Sequence, residues 1–376
     1  MLRTIHRWLG LPLGLLLLIT FGSGVLTAIS ELMSRAPQSQ SSYREPDLAA
    51  KAQAISLISN QHQNIRQLMM PSEAMPYYQV RLDQQTVIYS LDNLTAVADQ
   101  ELPMREFFKT VLQLHRNFLL GKTGFLGIAG AHYVAWVSLL SLLISVLGLW
   151  LWWPLRSTFK LKKLIPRCRK RHAFYYSHLN TGVLIGIALV LLSITGTSIT
   201  YRTITQQLLG VTGHKIDVLE RPIELTNSWH SWLSAIDQEM PNATLIRIQF
   251  PRQNHSPTPS DNFETVKATA EEKPKRILTF RLVSQHDWLG LPNSKIQIDA
   301  ESSAILSHAP FKDLPTGAKI MAVVVPLHTG RGLPKTYVVA LLLVSVLGTL
   351  MVFSGVASFL MKRHRRVSQK MKMTGT

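Results

Sequence analysis

Residues 6–24 read HRWLGLPLGLLLLITFGSG, and residues 178–196 read HLNTGVLIGIALVLLSITG. Both are His-x3-Gly-x3-Gly-x9-Gly, carried by His6, Gly10, Gly14 and Gly24 in the first and by His178, Gly182, Gly186 and Gly196 in the second. Each histidine opens an apolar helix-length run, so the chain reads as an internal duplication with an imidazole at each entrance. An imidazole at the edge of a membrane span is a functional candidate by default, and a repeated one points to a ligand held between two related helices. In a helix, Gly10/Gly14 and Gly182/Gly186 follow their histidine at i+4 and i+8, leaving a flat groove beside it. Haem b requires axial imidazoles, a dry pocket and a close helix backbone, and is the ligand this pattern predicts.

Four stretches carry no Lys, Arg, Asp or Glu: 8–30, 123–155, 173–201 and 336–361. A span needs about 20 apolar residues, so each stretch predicts one transmembrane helix. The first is too long, and too poor in a small-residue cleavage site, to read as a removed signal peptide. The formal charge of +18 raises the question of nucleic acid, and the answer lies in where the charge sits. Residues 1–7, 156–172 and 362–376 hold 16 basic and no acidic residues, whereas 31–122 holds 9 of each and 202–335 holds 15 basic and 13 acidic. By the positive-inside rule the three basic segments are cytoplasmic, both termini are inside and the two large segments are outside. Topology accounts for the charge, and no nucleic-acid partner is expected. Cys168 is the single cysteine, so disulfide frameworks and multi-cysteine metal sites are excluded within one chain.

The expected organisation is helix 1 within 1–30, an outer domain at 31–122, helix 2 within 123–155, a basic loop at 156–172, helix 3 within 173–201, a second outer domain at 202–335, helix 4 within 336–361 and a basic tail at 362–376. In the first outer segment, 47–61 has helical spacing and 77–82 and 86–91 read as strands. In the second, 228–238 reads as a helix and 244–250, 277–283 and 296–298 as strands, while 251–275 is polar and Pro-rich and reads as a mobile loop. The fold class predicted is a four-helix membrane bundle with two small α+β outer domains. Ser145-Val146-Leu147-Gly148 recurs as Ser345-Val346-Leu347-Gly348, which sets helices 2 and 4 in an expected register.

At the outer surface the ligand candidates are His115, His132 and His328. His132 precedes Gly148 by 16 residues and His328 precedes Gly348 by 20, a difference of about one helical turn. Leu114-His115-Arg116-Asn117 matches Leu327-His328-Thr329-Gly330 better by local sequence, and a bend at Gly121, Gly124, Gly127 and Gly130 would be needed to bring it close. His172 and His364 lie in basic flanks. His62, His214, His230, His255, His286 and His308 have no metal-ligand spacing and read as surface or locally bonded residues. The spans hold no carboxylate, which argues against a cation-coupled transporter. Neither a P-loop, a zinc-protease motif nor a nucleophile elbow is present.

Ile5-His6-Arg7-Trp8-Leu9-Gly10, the stretch LHRNFLLG at 114–121 ahead of GLWLWWP at 148–154, and Leu327-His328-Thr329-Gly330-Arg331 together resemble the PepSY-associated transmembrane family of bacterial inner-membrane proteins. The resemblance implies four spans, haem b within the bundle and PepSY-like periplasmic domains, and a bundle with ligand sets at both ends is expected to hold two haems. It places His6, His115, His178 and His328 at the family's histidine positions, with His132 outside that pattern. Members include reductases of ferric siderophores, so the implied activity is an oxidoreductase that takes electrons from a quinol or a cytoplasmic reductase to a periplasmic ferric siderophore. Reduction makes chemical sense, because hard oxygen ligands hold Fe(III) and release Fe(II) more readily. The alternative is a haem-free accessory or sensor protein binding a peptide, a protease or an envelope partner.

Overall fold

A computed structural model describes residues 1–34, 43–97, 105–211, 228–251 and 276–373, apart from positions 63, 74, 84 and 92. In chain order the elements are α1 (Leu2–Met33), α2 (Leu48–Gln61), β1 (Gln67–Met69), β2 (Tyr77–Arg81), β3 (Thr86–Ser90), β4 (Ala96–Val97), α3 (Arg105–Asn117), α4 (Gly130–Trp152), α5 (Arg171–Thr200), α6 (Arg202–Leu208), α7 (Trp229–Glu239), β5 (Thr244–Gln249), β6 (Ile277–Val283), β7 (Ser294–Asp299), β8 (Ile305–Ala309), α8 (Thr316–Thr329) and α9 (Lys335–Met373). The chain divides into a helical unit, built from 1–34, 102–204 and 324–376, and a sheet unit built from 35–101 and 205–323.

In the helical unit α1, α5, α9 and the stretch Gly130–Thr158 are long and apolar enough to cross a membrane. The second span begins later than the charge-free run at 123 because residues 118–129 are not helical. Leu15, Leu143, Ile187 and Phe353 point out of the bundle and are exposed, as lipid-facing side chains must be. Small residues let the helices close up: a methyl on Gly14 would stand 3.1 Å from Val356 of α9, and one on Gly186 would stand 2.6 Å from Leu149 of α4.

Residues 118–129 reverse the chain between α3 and α4, so that α3 folds back beside α1. Phe118, Leu119 and Leu126 join Gly121, Gly124 and Gly127 in left-handed conformations. Two glycines are required there. A Cβ on Gly124 would lie 1.6 Å from the Ile128 carbonyl oxygen, and one on Gly130 would lie 2.1 Å from that of Asn117. Asn117 Oδ1 accepts from the Leu119 N–H at 3.0 Å, and the Tyr133 hydroxyl donates to the Phe125 carbonyl at 2.8 Å, fastening the turn.

The sheet unit joins strands of the two expected outer segments. Its strands form one antiparallel eight-stranded sheet in the order β4-β3-β2-β1-β5-β6-β7-β8. The seam is β1 against β5, with Leu68 opposite Ile248. Two separate small sheets would each leave an unpaired edge, and pairing β1 with β5 removes both. Val80, Leu68, Ile248, Phe280 and Ile296 form a buried row across five neighbouring strands, beneath Ile55 and Ile58 of α2 and Leu233 and Ile236 of α7. Each such side chain contributes about 1.5–3 kcal/mol by leaving water. Asp47 caps α2 by accepting from the Ala50 N–H at 2.7 Å, and Ser228 caps α7 by accepting from that of Ser231 at 3.2 Å. On the sheet's other face Arg247 stands opposite Arg281, and burial together with that neighbouring charge lowers its pKa to about 10. The expected strands at 77–82, 86–91, 244–250 and 277–283 and the helices at 47–61 and 228–238 all form, within a residue or two. The stretch expected as a mobile loop lies outside the described residues, apart from Pro251.

Candidate functional site

Four of the five candidate histidines meet in two pairs. His6 of α1 faces His178 of α5, with ring centres 6.2 Å apart. His115 of α3 faces His328 of α8, with ring centres 6.3 Å apart. His132, at the start of α4, joins neither: its ring lies 5.4 Å from that of Tyr201, and its Nδ1 is 3.3 Å from the tyrosine hydroxyl. The turn at 118–129 is what carries His115 away from His132 and back against α1.

Each paired histidine is seated on a glycine of another helix. His115 lies over Gly24, where a Cβ would be 3.6 Å from its Cε1, and His328 lies over Gly196 at 3.1 Å. His6 lies over Gly148 at 3.3 Å, and His178 over Gly355, where a Cβ would be 2.7 Å from Nδ1. His6 and Gly24 are 18 residues apart on one helix, about 27 Å by helical rise, as are His178 and Gly196. That is nearly the thickness of a bilayer core, about 30 Å, so the two pairs sit toward opposite ends of the bundle.

The hydrogen bonds determine which ring nitrogen is free. His178 Nδ1 is 2.8 Å from the Met351 carbonyl oxygen, and a carbonyl only accepts, so Nδ1 carries the proton and Nε2 the lone pair. The Thr20 carbonyl makes the same choice for His115 at 3.1 Å. Ser23 Oγ, 3.0 Å from His115 Nδ1, donates its own proton to the Ile19 carbonyl at 2.7 Å and is left as an acceptor. Thr195 does likewise on α5, donating to Leu191 at 2.9 Å and accepting from His328 Nδ1 at 3.0 Å. His6 Nδ1 is directed toward the Ile144 carbonyl but makes no hydrogen bond of good geometry.

A cavity of about 450 Å³ opens beside the His6–His178 pair. Gly10, Gly148, Gly182, Gly186 and Gly355 line it, together with Leu17, Leu189 and Met351. Of the four groove glycines expected from sequence, Gly10 is open, Gly182 and Gly186 face the cavity, and Gly14 packs against Val352 and Val356.

These residues fit a haem. An imidazole nitrogen binds a transition metal at about 2.0 Å and lies ~1.1 Å from its ring centre, so two imidazoles on opposite sides of one metal have centres roughly 6.2 Å apart. Both pairs have that spacing. Among the described residues no three His, Cys, Asp or Glu side chains gather, so a bare ion would find two donors where zinc takes three or four. A porphyrin brings the other four donors itself.

The sequence missed several partners of these histidines. Ser23 and Thr195 each stand 17 residues after the histidine of their own helix, immediately before the matched glycine, and that coincidence was a readable signal. The repeated Ser-Val-Leu-Gly gave a misleading register. Gly148 faces His6, but Gly348 packs against Phe21, and the residue that stands to His178 as Gly148 does to His6 is Gly355. The carbonyls agree, Ile144 turned to His6 and Met351 to His178: both correspondences are offsets of 207 residues, whereas the motif gives 200. His62 and His308 have local partners, Tyr89 at 2.6 Å and Glu239 at 3.6 Å.

Four apolar helices with a separate antiparallel sheet make this a multi-pass membrane protein. The family model of the PepSY-associated TM region matches residues 3–362, nearly the whole chain, and the protein belongs to that family. No curated protein matches it.

Proposed function

We propose that the bundle is a membrane cytochrome that holds two b-type haems, one between His6 and His178 and one between His115 and His328, and delivers electrons to a ferric siderophore. The observation that carries this reading is the pair of ring-centre separations, 6.2 and 6.3 Å, made by imidazoles on four different helices. Haem, when bound, supplies one-electron redox chemistry within the span of the membrane.

The chain's own residues do the rest. The Met351 and Thr20 carbonyls and the Ser23 and Thr195 hydroxyls hold the Nδ1 protons, which orients each ring and makes Nε2 a better donor. The glycines beneath the rings admit a flat group close to the helix backbone, and the apolar lining excludes water. The recurrence of His, hydroxyl and glycine on α1 and α5 supports reading the halves as copies of one unit. The basic excess on 1–7, 156–172 and 362–376 supports a cytoplasmic location for the end that bears His6 and His178 and a periplasmic one for the sheet unit.

The decisive experiment is an absorption spectrum of the detergent-purified protein from haem-replete cells. Low-spin b-type bands are expected. A colourless preparation that gains no Soret band on adding haemin would remove the reading and favour a haem-free accessory or sensor role. For the substrate, a dithionite-reduced anaerobic sample should be reoxidised by a ferric siderophore while iron passes to a ferrous chelator. Reoxidation no faster than in buffer would leave a cytochrome without that activity.

A further inference from the structure

Three buried side-chain donors around the His6–His178 cavity have no acceptor: Arg7 Nε, Arg171 Nε and Trp152 Nε1. With His6 Nδ1, they make four of the eleven unpartnered buried polar atoms among the described residues, all on one cavity. Leaving a buried donor unsatisfied costs about 1–3 kcal/mol, and more when it is charged, so such a cluster is expected where a ligand supplies the acceptors.

The sign of the missing group follows from the lining. Arg3, Arg7, Arg171 and Lys362 border the cavity and, among the described residues, no carboxylate does. Their placement is directional. Arg171 precedes His178 by seven residues on the same face of α5, about 10 Å toward the helix start, and Arg3 and Arg7 occupy the first turns of α1 beside His6. The cations therefore stand at the mouth, and the imidazoles and glycines lie deeper. Arginines present only to set topology would keep their donors in water or on lipid headgroups, whereas here the Nε atoms are buried.

We infer that Arg7, Arg171 and the Trp152 indole bind the two carboxylates on one edge of the porphyrin, fixing which edge faces the bundle end. This rests on the proposed function. Charge-assisted hydrogen bonds from guanidinium to carboxylate are roughly twice as strong as neutral ones.

The test uses the full chain bearing His328→Ala, so that only the inner pair binds, purified without haem and titrated with haemin or with haemin dimethyl ester, in which both carboxylates are masked. Haemin should bind about tenfold or more tightly than the ester. Adding Arg7→Gln and Arg171→Gln should weaken haemin binding by a similar factor and change ester binding less than about twofold. Equal affinity for haemin and ester, or equal weakening of both by the arginine changes, would overturn the assignment and make the arginines structural. If neither porphyrin gives a low-spin spectrum, the haem reading itself fails, and this inference falls with it.

Discussion

The two histidine pairs have the same spacing in different surroundings. His115 and His328 are both held at Nδ1, by Ser23 with Thr20 and by Thr195. In the other pair His178 is held by Met351, while His6 Nδ1 makes no hydrogen bond and the rings open on a cavity rimmed by cations. The difference teaches that one geometry can be reached by two routes. The His115–His328 pair is preorganised by its own chain, whereas on the proposed function the His6–His178 pair would be completed by its ligand.

The largest test of that contrast is to remove one imidazole from each pair. His178→Ala and His328→Ala should each abolish low-spin binding at one pair only and lower total haem by about half. If both substitutions removed the same spectral species, the pairs would not be separate sites. Next come the seats beneath the rings. Gly355→Ala puts a methyl 2.7 Å from His178 Nδ1 and should lower haem affinity there about tenfold, whereas Gly22→Ala, with nothing within 4 Å and away from the cavity, should leave it unchanged. Equal losses in a haemin titration would mean that these glycines serve helix packing alone. Smaller effects are expected from the hydroxyls. Thr195→Val and Ser23→Ala should each weaken binding at their histidine by less than about tenfold, because His328 keeps the Leu192 carbonyl and His115 the Thr20 carbonyl. Complete loss of haem at either pair would show that the hydroxyls, and not the carbonyls, orient the rings. The smallest effect belongs to His132→Ala, which should leave both spectra intact; loss of either would return His132 to the ligand set.

The spans were legible because a bilayer tolerates few charges, and four charge-free runs stand out in any chain. His6 and His178 were legible because their pattern repeats. The choice between His115 and His132 was not, since it turns on Phe118, Leu119 and Leu126 adopting left-handed conformations that no local propensity announces. The register of α4 against α9 was misread because Ser-Val-Leu-Gly is made of residues common in any span, so its recurrence carried less information than the seat beneath a ring. In the sheet unit, Ile277–Val283 alternates cleanly and was plain, but Gln67–Met69 is three residues long and acquires meaning only from Gln249 and its neighbours, more than 170 positions away. Such pairing is a property of the whole chain, and no window of local sequence contains it.

The seam between β1 and β5 has a consequence for assembly. A cut in the basic loop after α4 would leave an N-terminal piece with β1 to β4, His6 and His115, and a C-terminal piece with β5 to β8, His178 and His328. Every histidine pair, like the seam, is then a handshake between the two pieces, and neither piece owns a complete site. Any metal gripped between two imidazoles would rivet one half of the protein to the other, and on the proposed function co-expressed fragments would report their own reunion by turning red.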